Sequence, residues 1–133
     1  MLGTIAWRKA IILNAAAKSG AVEMIGRQLV AIFQAADTEG VAFGLEASHD
    51  GGTTYTDVFN VIQEATGAAP VTAAWEVAKS ATVAQYLNLP DAFRVTGPTH
   101  IKIESQDGSA AASNQNADTT IWLGFVELPD PSH

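Results

Sequence analysis

Apolar side chains alternate with polar or small ones along much of this chain, so the dominant period is two residues. The clearest case is the stretch 41–48, where the odd positions are apolar: Val41, Phe43, Leu45 and Ala47. The even positions carry small or polar residues, which describes a β-strand with one buried face. After a short polar interruption the stretch 54–59 alternates in the same way, so we predict that the two strands form a hairpin.

Four further stretches predict strands. Residues 28–34 form a short apolar run whose β-branched and aromatic content favours a buried strand. Residues 85–89 form a weaker strand, and residues 100–104 alternate isoleucine with polar side chains. The run 119–128 is apolar on both faces, which places it in the centre of a sheet or at an interface.

The beginning of the chain and one alanine-rich stretch carry mixed signals. Residues 4–13 have apolar side chains on odd positions, which favours a strand, whereas Ala15–Lys18 is a good helix former. Residues 1–18 are therefore predicted as an N-terminal arm or a first strand followed by a loop. The stretch 65–80 is interrupted by glycine, proline and β-branched residues, which argue against a helix there.

About seven to eight short strands, separated by turn residues and without a long helix, indicate an antiparallel sheet architecture. We predict that residues 1–133 form a single all-β domain, a β-sandwich of the jelly-roll or Ig-like kind. The low-complexity stretch 109–116 has nothing to bury, so we expect an exposed loop that orders on a partner. The prolines of residues 129–133 predict an extended C-terminal tail.

Composition narrows the classes of partner. The formal net charge is -7 and the pI is about 4.7, so the surface repels phosphate backbones and anionic lipid, and we expect neither nucleic acid nor membrane as a partner. The chain has no cysteine, which excludes thiolate chemistry, and we expect no secretion signal. Charged residues are only 16%, against about a quarter in typical domains, which suggests that part of the surface meets another subunit.

The stretch Ser48-His-Asp-Gly-Gly-Thr-Thr-Tyr55 concentrates polar side chains and looks at first like an active site. It resembles the Asp box of sialidases, which implies a hairpin turn whose aspartate accepts from backbone N–H groups and whose aromatic residue packs beneath the loop. The same role follows from the residues themselves, because Asp supports turns and Gly adopts positive φ without cost. Five residues are assigned to this structural turn: Ser48, Asp50, Gly52, Thr54 and Tyr55.

Calcium binding is the functional alternative for this stretch, through Asp50, Asp57 and loop carbonyls. The oxygen spacing of a dedicated calcium loop and its closing glutamate are absent from the sequence, which weakens this alternative. The three histidines, His49, His100 and His133, stand at unrelated spacings and do not suggest a metal cluster. We therefore assign no metal and no cofactor.

Catalytic groups are equally sparse. Paired carboxylates of the glycosidase kind depend on spatial separation, and the strand-like segments offer four sources: Glu46, Asp57, Glu76 and Glu104. Solvated strand faces are the stronger interpretation of these four, so we predict no catalytic residue and no enzyme. Five aromatic residues offer a sugar-stacking platform as an alternative to core or interface packing: Trp7, Tyr55, Trp75, Tyr86 and Trp122.

Three stretches together carry a wider resemblance: residues 28–55, Gln85–Phe93 and residues 100–121. Their order is a strand, a strand ending in a Ser-x-Asp-Gly-Gly hairpin, a Leu-Pro-x-x-Phe segment, an Ile-Lys-Ile strand and a final strand. In this order the chain resembles small β-sandwich structural proteins of tailed bacteriophages. The basic pair Arg8-Lys9 and the proline-rich tail depart from that pattern.

The resemblance implies a virion component, namely a capsid decoration or cement protein that binds the major capsid protein lattice. It further implies a homo-oligomer, with a trimer favoured, located on the capsid surface after assembly in the host cytoplasm. A carbohydrate-binding module or a tail or receptor-binding component of the particle remains the alternative. The residues expected at the interface are Trp7, Arg8, Lys9, Ser109, Asn114 and Asn116.

Overall fold

The computed structural model describes residues 4–35, 42–63, 71–78, 84–89, 94–109 and 111–128. Within these ranges the chain forms strands joined by turns and loops, without a helix. The strands are β1 Ala6–Ile12, β2 Val22–Glu23, β3 Arg27–Gln34, β4 Ala42–Ser48, β5 Thr56–Asp57, β6 Phe59–Gln63, β7 Val71–Ala74, β8 Glu76–Ala78, β9 Gln85–Asn88, β10 His100–Gln106 and β11 Thr119–Glu127.

The first sheet, sheet A, contains four strands in the order β1-β11-β3-β9, and all of its neighbours are antiparallel. The apolar strand β11 lies in the centre of this sheet, as its two-sided hydrophobicity predicts. Between Gly124 and Phe125 its register with β3 shifts by one residue, which forms a β-bulge. A bulge bends a strand and increases its local twist.

The second sheet, sheet B, has the order β2-β10-β4-β5, and β8 also pairs with β4. The hairpin predicted from the alternating pattern is formed by β4 and β5, where Glu46 pairs with Asp57 and Ala47 with Thr56. Strands β6 and β7 pair only with each other in the described chain.

The hydrophobic core lies between the inner faces of the two sheets. Sheet A contributes side chains such as Leu123 and Phe125, and sheet B contributes Phe43, Ile101 and Ile103, all of them at most 1% exposed. Burial of apolar surface of this kind is the main favourable term in folding. The prediction of an all-β antiparallel sandwich is confirmed, with more strands than predicted because several of them span only two to four residues.

Strand β4 departs from the prediction of a single buried face, because its outward-facing positions are buried as well. The reason is visible at Gly44, where an added Cβ would lie 2.5 Å from Nε2 of Gln106. The Gln106 side chain therefore lies flat against the strand in the space that Gly44 leaves open. Its amide donates to Oε1 of Glu104 at 3.0 Å, so the outer face of sheet B carries a buried polar layer.

The loop 109–116 also differs from the expectation of a stretch with nothing to bury. Gln115 is 2% exposed, its amide donates to the Ser105 hydroxyl, and its carbonyl accepts from Thr119 Oγ1 at 2.9 Å. Ser113 N–H donates to Ser105 O at 2.8 Å. The loop is thus fixed at the end of the sandwich by its own buried amide, a contact that composition alone does not reveal.

Residues 1–18 contain a first strand, β1, in the described part, and residues 15–18 do not form a helix. Ala15 instead has a φ of 67°, which ends any regular continuation. In the alanine-rich stretch 65–80, the described residues form β7 and β8. The predicted tail 129–133 lies outside the described residues. Among those described, no helix has the length and apolar character needed to cross a membrane.

Candidate functional site

A line of aromatic side chains crosses the outer face of sheet A. The register pairs Trp122 of β11 with Phe33 of β3, and Phe33 in turn with Tyr86 of β9. Directly opposed residues in antiparallel strands project to the same face, and neighbouring strands lie about 4.8 Å apart. Three rings therefore form a continuous row on the side of the sheet that faces away from the core.

Trp7 completes this surface from the other edge strand. It pairs with Gly124, whose absent side chain leaves room for the indole, since an added Cβ there would lie 3.0 Å from Trp7 Cζ3. The next residue in the row is Ala31, which is equally small. The Trp7 ring reaches Tyr86 in an edge-to-face contact with centroids 5.7 Å apart and an interplanar angle of 62°.

The four rings line an open groove of about 340 Å³, which we call the aromatic groove: Trp7, Phe33, Tyr86 and Trp122. Tyr86 is 50% exposed and the other three are half-buried, so the rings remain accessible. An accessible surface made only of aromatic side chains is typical of a binding site for another molecule.

One cationic group, that of Lys9, stands at the rim of the aromatic groove. Lys9 Nζ lies 5.1 Å from the centroid of the Trp122 ring, a cation–π arrangement. Arg8 is exposed but has the opposite parity in β1 and pairs with the core residue Leu123, so it projects from the other face of the sheet, and its Nη1 donates to Trp7 O at 3.1 Å. In a chain with seven basic and fourteen acidic residues, Lys9 therefore supplies the positive charge at the groove.

A second apolar patch adjoins the first along β1. Ile11 and Leu13 are 41% and 58% exposed. With Lys9, Gly20 and Ala21 they line a shallow groove of about 330 Å³, which we call the Ile11 patch. Ile11 has the same parity in the strand as Trp7 and Lys9, so the Ile11 patch extends the outer face of sheet A.

The stretch that most resembled an active site is a turn. Asp50 Oδ1 accepts from the N–H groups of Thr53 and Thr54 at 3.1 and 3.0 Å and from Ser48 Oγ at 2.7 Å, while the Thr54 hydroxyl donates to Oδ2. These donors, the Thr54 hydroxyl foremost, hold the pKa of Asp50 well below its usual range. With both oxygens engaged by its own loop, Asp50 serves the backbone of the turn.

The glycines and the tyrosine of the turn have separate roles. Gly51 and Gly52 adopt φ values of 80° and 93°, a region that favours glycine. Tyr55 is half-buried and lies outside the hydrophobic core, with Lys102 Nζ 4.3 Å from its ring centroid. The sequence predicts that the aromatic residue packs beneath the loop. In the structure only the hydroxyl of Tyr55 approaches the loop, at Gly52.

Three of the four strand carboxylates that the sequence singled out lie together on the outer face of sheet B. One carboxylate oxygen from each of Glu46, Asp57 and Glu104 falls within 4.8 Å of the others. Among the described residues, this cluster is the group of side chains that could hold a metal ion. The calcium site considered from the sequence paired Asp57 with Asp50, but Asp50 is not part of the cluster.

Lys18 supplies a positive charge to this cluster. Its Nζ lies 2.7 Å from Glu46 Oε1 and 3.6 Å from Glu104 Oε2. The hydrogen bond to Glu46 raises the pKa of Lys18, and burial raises the pKa of Glu104, assisted by the neighbouring Glu46. The ammonium group thus pairs with two of the three carboxylates, those of Glu46 and Glu104, in an ion-pair network.

The remaining predicted residues are dispersed. Trp75 is 5% exposed and packs against Phe43 with centroids 6.2 Å apart, so it belongs to the core and cannot stack on a sugar. His49 is exposed, and His100 Nδ1 lies 3.1 Å from Thr99 Oγ1. His133 lies outside the described residues. Ser109, Asn114 and Asn116 are exposed on the loop before β11. Trp7 lies on the neighbouring strand β1, opposite Gly124, which is five residues past the start of β11.

Phe33 is the groove residue that the sequence did not single out. It lies in the continuous apolar run 28–34, where no alternation separates inner from outer positions. Only its pairing with the flanking Trp122 and Tyr86 identifies the face to which it projects.

A scan against protein-family models, a search of curated proteins and a search of solved structures found no match to this chain.

Proposed function

We propose that this chain is a non-enzymatic virion structural protein, a capsid decoration or cement protein that binds the major capsid protein lattice as a homo-oligomer. The observation that carries the proposal is the exposed apolar outer face of sheet A, which comprises the aromatic groove and the Ile11 patch. The sandwich has its main core between its sheets, and Trp7 also packs over a second small cluster of Val30, Ala31 and Val126, yet this face still leaves apolar side chains exposed, among them Ile11, Leu13 and Tyr86. Surfaces of this kind mark contacts with other proteins.

The composition of the face fits a protein interface. Aromatic residues and arginine are enriched at interface cores and dominate binding energy, whereas isolated exposed apolar residues carry little meaning. Trp7, expected at the interface from the sequence, lines this face, and Lys9, also expected there, lies over the Trp122 ring of the groove. The resemblance to phage β-sandwich proteins supports the virion location. The aromatic groove and the Ile11 patch offer two apolar surfaces, one for a second copy of the chain and one for the capsid.

The chemistry of the polar clusters supports a role without catalysis. The two strongest candidates, Asp50 and the Glu46–Glu104 pair, are engaged by a turn and by Lys18 respectively. A general base or nucleophile must instead have a lone pair available to a substrate. The described carboxylates that cluster are thus better explained by stability than by turnover.

Binding to assembled shells is the test of the proposal. Purified protein mixed with procapsids of the parent phage is expected to co-sediment at a stoichiometry set by the lattice. Replacement of Leu13 by Ser in the Ile11 patch is expected to weaken co-sedimentation at least tenfold, while replacement of the equally exposed Ile25 by Ser serves as a matched control. A chain that never co-sediments with shells would overturn the proposal.

Carbohydrate binding is the second candidate, because Trp7 and Trp122, two of the tryptophans considered as sugar platforms, line the same groove. Sugar sites combine stacking rings with hydrogen-bonding groups, yet none of the four residues that line the groove carries a carboxylate or an amide. A glycan array with a specific hit, together with a tryptophan fluorescence change on adding that glycan, would favour this candidate. Neither signal is expected if the face binds protein.

A further inference from the structure

Two features of the chain complement each other: the aromatic groove and the segment Leu128-Pro-Asp-Pro131 that follows β11. We propose that the aromatic groove of one copy binds the Leu128-Pro-Asp-Pro131 segment of a second copy. The proposal names the contact between copies in the homo-oligomer of the proposed function. It rests on the proposed function only for its biological setting. The contact itself requires no capsid.

The groove has the chemistry that binds proline-containing segments. Grooves lined by aromatic rings bind extended proline-rich peptides, because the polyproline II conformation is already formed and loses little entropy on binding. Trp7, Tyr86 and Trp122 supply flat rings, and the edge-to-face contact of Trp7 with Tyr86 sets two of them at 62° to each other. The volume of about 340 Å³ falls at the small end of binding sites, which suits a short segment.

The charges of the two partners are opposite. The segment carries Asp130 and follows Glu127, whereas the rim of the groove carries Lys9. Most of the surface of this acidic chain would repel an acidic segment, but the rim of the groove would attract it. Lys9 lies over the Trp122 ring, so its ammonium is placed beside a bound proline segment and can pair with a neighbouring carboxylate.

The position of Leu128 favours a second copy over the groove of the same copy. Leu128 N–H donates to Gly26 O at 2.8 Å, so the chain still follows sheet A beyond the end of β11. Leu128 lies four residues past Gly124, about 13 Å along the strand direction and away from the groove. Pro129 restricts Leu128 to extended geometry, which opposes an immediate reversal.

A segment that enters a different surface on its neighbour makes a heterologous contact, and such contacts close into rings when the rotation between copies is suitable. The trimer expected from the resemblance is one such closed ring. The Ile11 patch on the same face would stay available to the capsid.

Sedimentation velocity of the full chain, without capsids, tests the inference. The wild type is expected to form an oligomer that dissociates on dilution. Tyr86→Ala is expected to raise the dissociation constant at least tenfold, because it removes a wall of the groove. Tyr55→Ala is the matched control, since Tyr55 is another partly exposed tyrosine near a lysine but lies in the turn between β4 and β5 of sheet B, and it should leave association unchanged.

A charge exchange identifies the partner segment. Lys9→Glu and Asp130→Lys are each expected to weaken association by about tenfold, as for one charge pair at an interface, and the double variant is expected to restore most of the loss. Restoration excludes misfolding as the cause of the single effects. Circular dichroism of all variants should match the wild type.

A synthetic peptide of residues 127–133 provides a second measurement. It is expected to dissociate the oligomer and to change tryptophan fluorescence in dilute protein. The inference is overturned if the chain stays monomeric, if Tyr86→Ala leaves the oligomer intact, or if the double charge variant is no better than the single ones. If one of these results is found and the protein still binds capsid shells, only the contact between copies is overturned. If the protein forms the oligomer but does not bind shells, only the proposed function is overturned.

Discussion

Lys18 Nζ lies 2.7 Å from Oε1 of Glu46, so a half-exposed cation closes a pocket of otherwise buried carboxylates. Replacing Lys18 by Met is expected to leave Glu46 and Glu104 facing each other without compensation. Loss of a fully buried ion pair costs about 3 to 5 kcal/mol, and the exposure of Lys18 reduces the expected loss of unfolding free energy to about 1 to 2 kcal/mol. Urea unfolding at neutral pH measures it, and an unchanged midpoint would contradict the network.

Glu104 predicts a dependence of stability on mildly acidic pH. Burial raises the pKa of Glu104 above its ordinary value of 4.5, so the fold favours the protonated carboxyl. Its stabilising contribution is therefore complete below that ordinary value and is lost as the pH rises through the raised pKa. Compared with Glu104→Gln, the wild type is expected to lose stability as the pH rises through this window.

Urea midpoints over a pH series measure the effect of Glu104→Gln, with Glu23→Gln as the control because Glu23 is exposed. Glu46, Asp57 and Lys18 face Glu104 from the neighbouring elements and are present in both proteins, so the difference between wild type and variant reports on Glu104. Parallel pH profiles for the two proteins would show that its burial has no energetic consequence.

Asp50 predicts a pH dependence of the opposite sign. Hydrogen bonds from Thr54 and Ser48 lower the pKa of Asp50, so its contribution is present above the ordinary value of 3.8 and is lost as the pH falls through the lowered pKa. Asp50→Ala is expected to lower the Tm at neutral pH and to flatten acid unfolding, while Asp50→Asn, which keeps an acceptor oxygen, loses less. His49→Ala is the control on the same turn, and equal Tm values for all three variants would contradict this role.

Gly44 predicts a steric effect in the centre of sheet B. Gly44→Ala places a Cβ where the Gln106 amide now lies, so the amide must move and its hydrogen bond to Glu104 is lost. We expect a loss of about 1 kcal/mol, as for one lost hydrogen bond, because the amide is the far end of a flexible side chain and can move aside. Gly20→Ala, which meets no atom within 4 Å, is the matched control and should cost far less in thermal unfolding.

The sequence predicts the sheets well because alternation reports which side chains face the core. The positions of β4, β10 and β11 follow from it closely, and the turn at Asp50 follows from the chemistry of its residues. Alternation does not report what covers the other face. The burial of Glu46 and Glu104 depends on Lys18 and Gln106, which approach from another segment or lie flat on the strand.

The groove illustrates the same limit. Trp7, Tyr86 and Trp122 stand out in the sequence as aromatic residues, but they lie on three strands that are distant along the chain. Their assembly depends on strand order and register, and these are tertiary properties. Trp75 is also a tryptophan but lies in the core, so residue type alone does not distinguish an aromatic side chain of the groove from one of the core.

The contact of Trp7 with Tyr86 joins the two outermost strands of sheet A across the small residues Gly124 and Ala31. An edge strand ordinarily frays because only one neighbour holds its backbone. A molecule bound in the groove would press on both rings at once and hold β1 and β9 together. The rates of amide hydrogen exchange in β1 and β9 should therefore fall together on binding. Exchange in the two edge strands would thus show whether the groove between them is occupied.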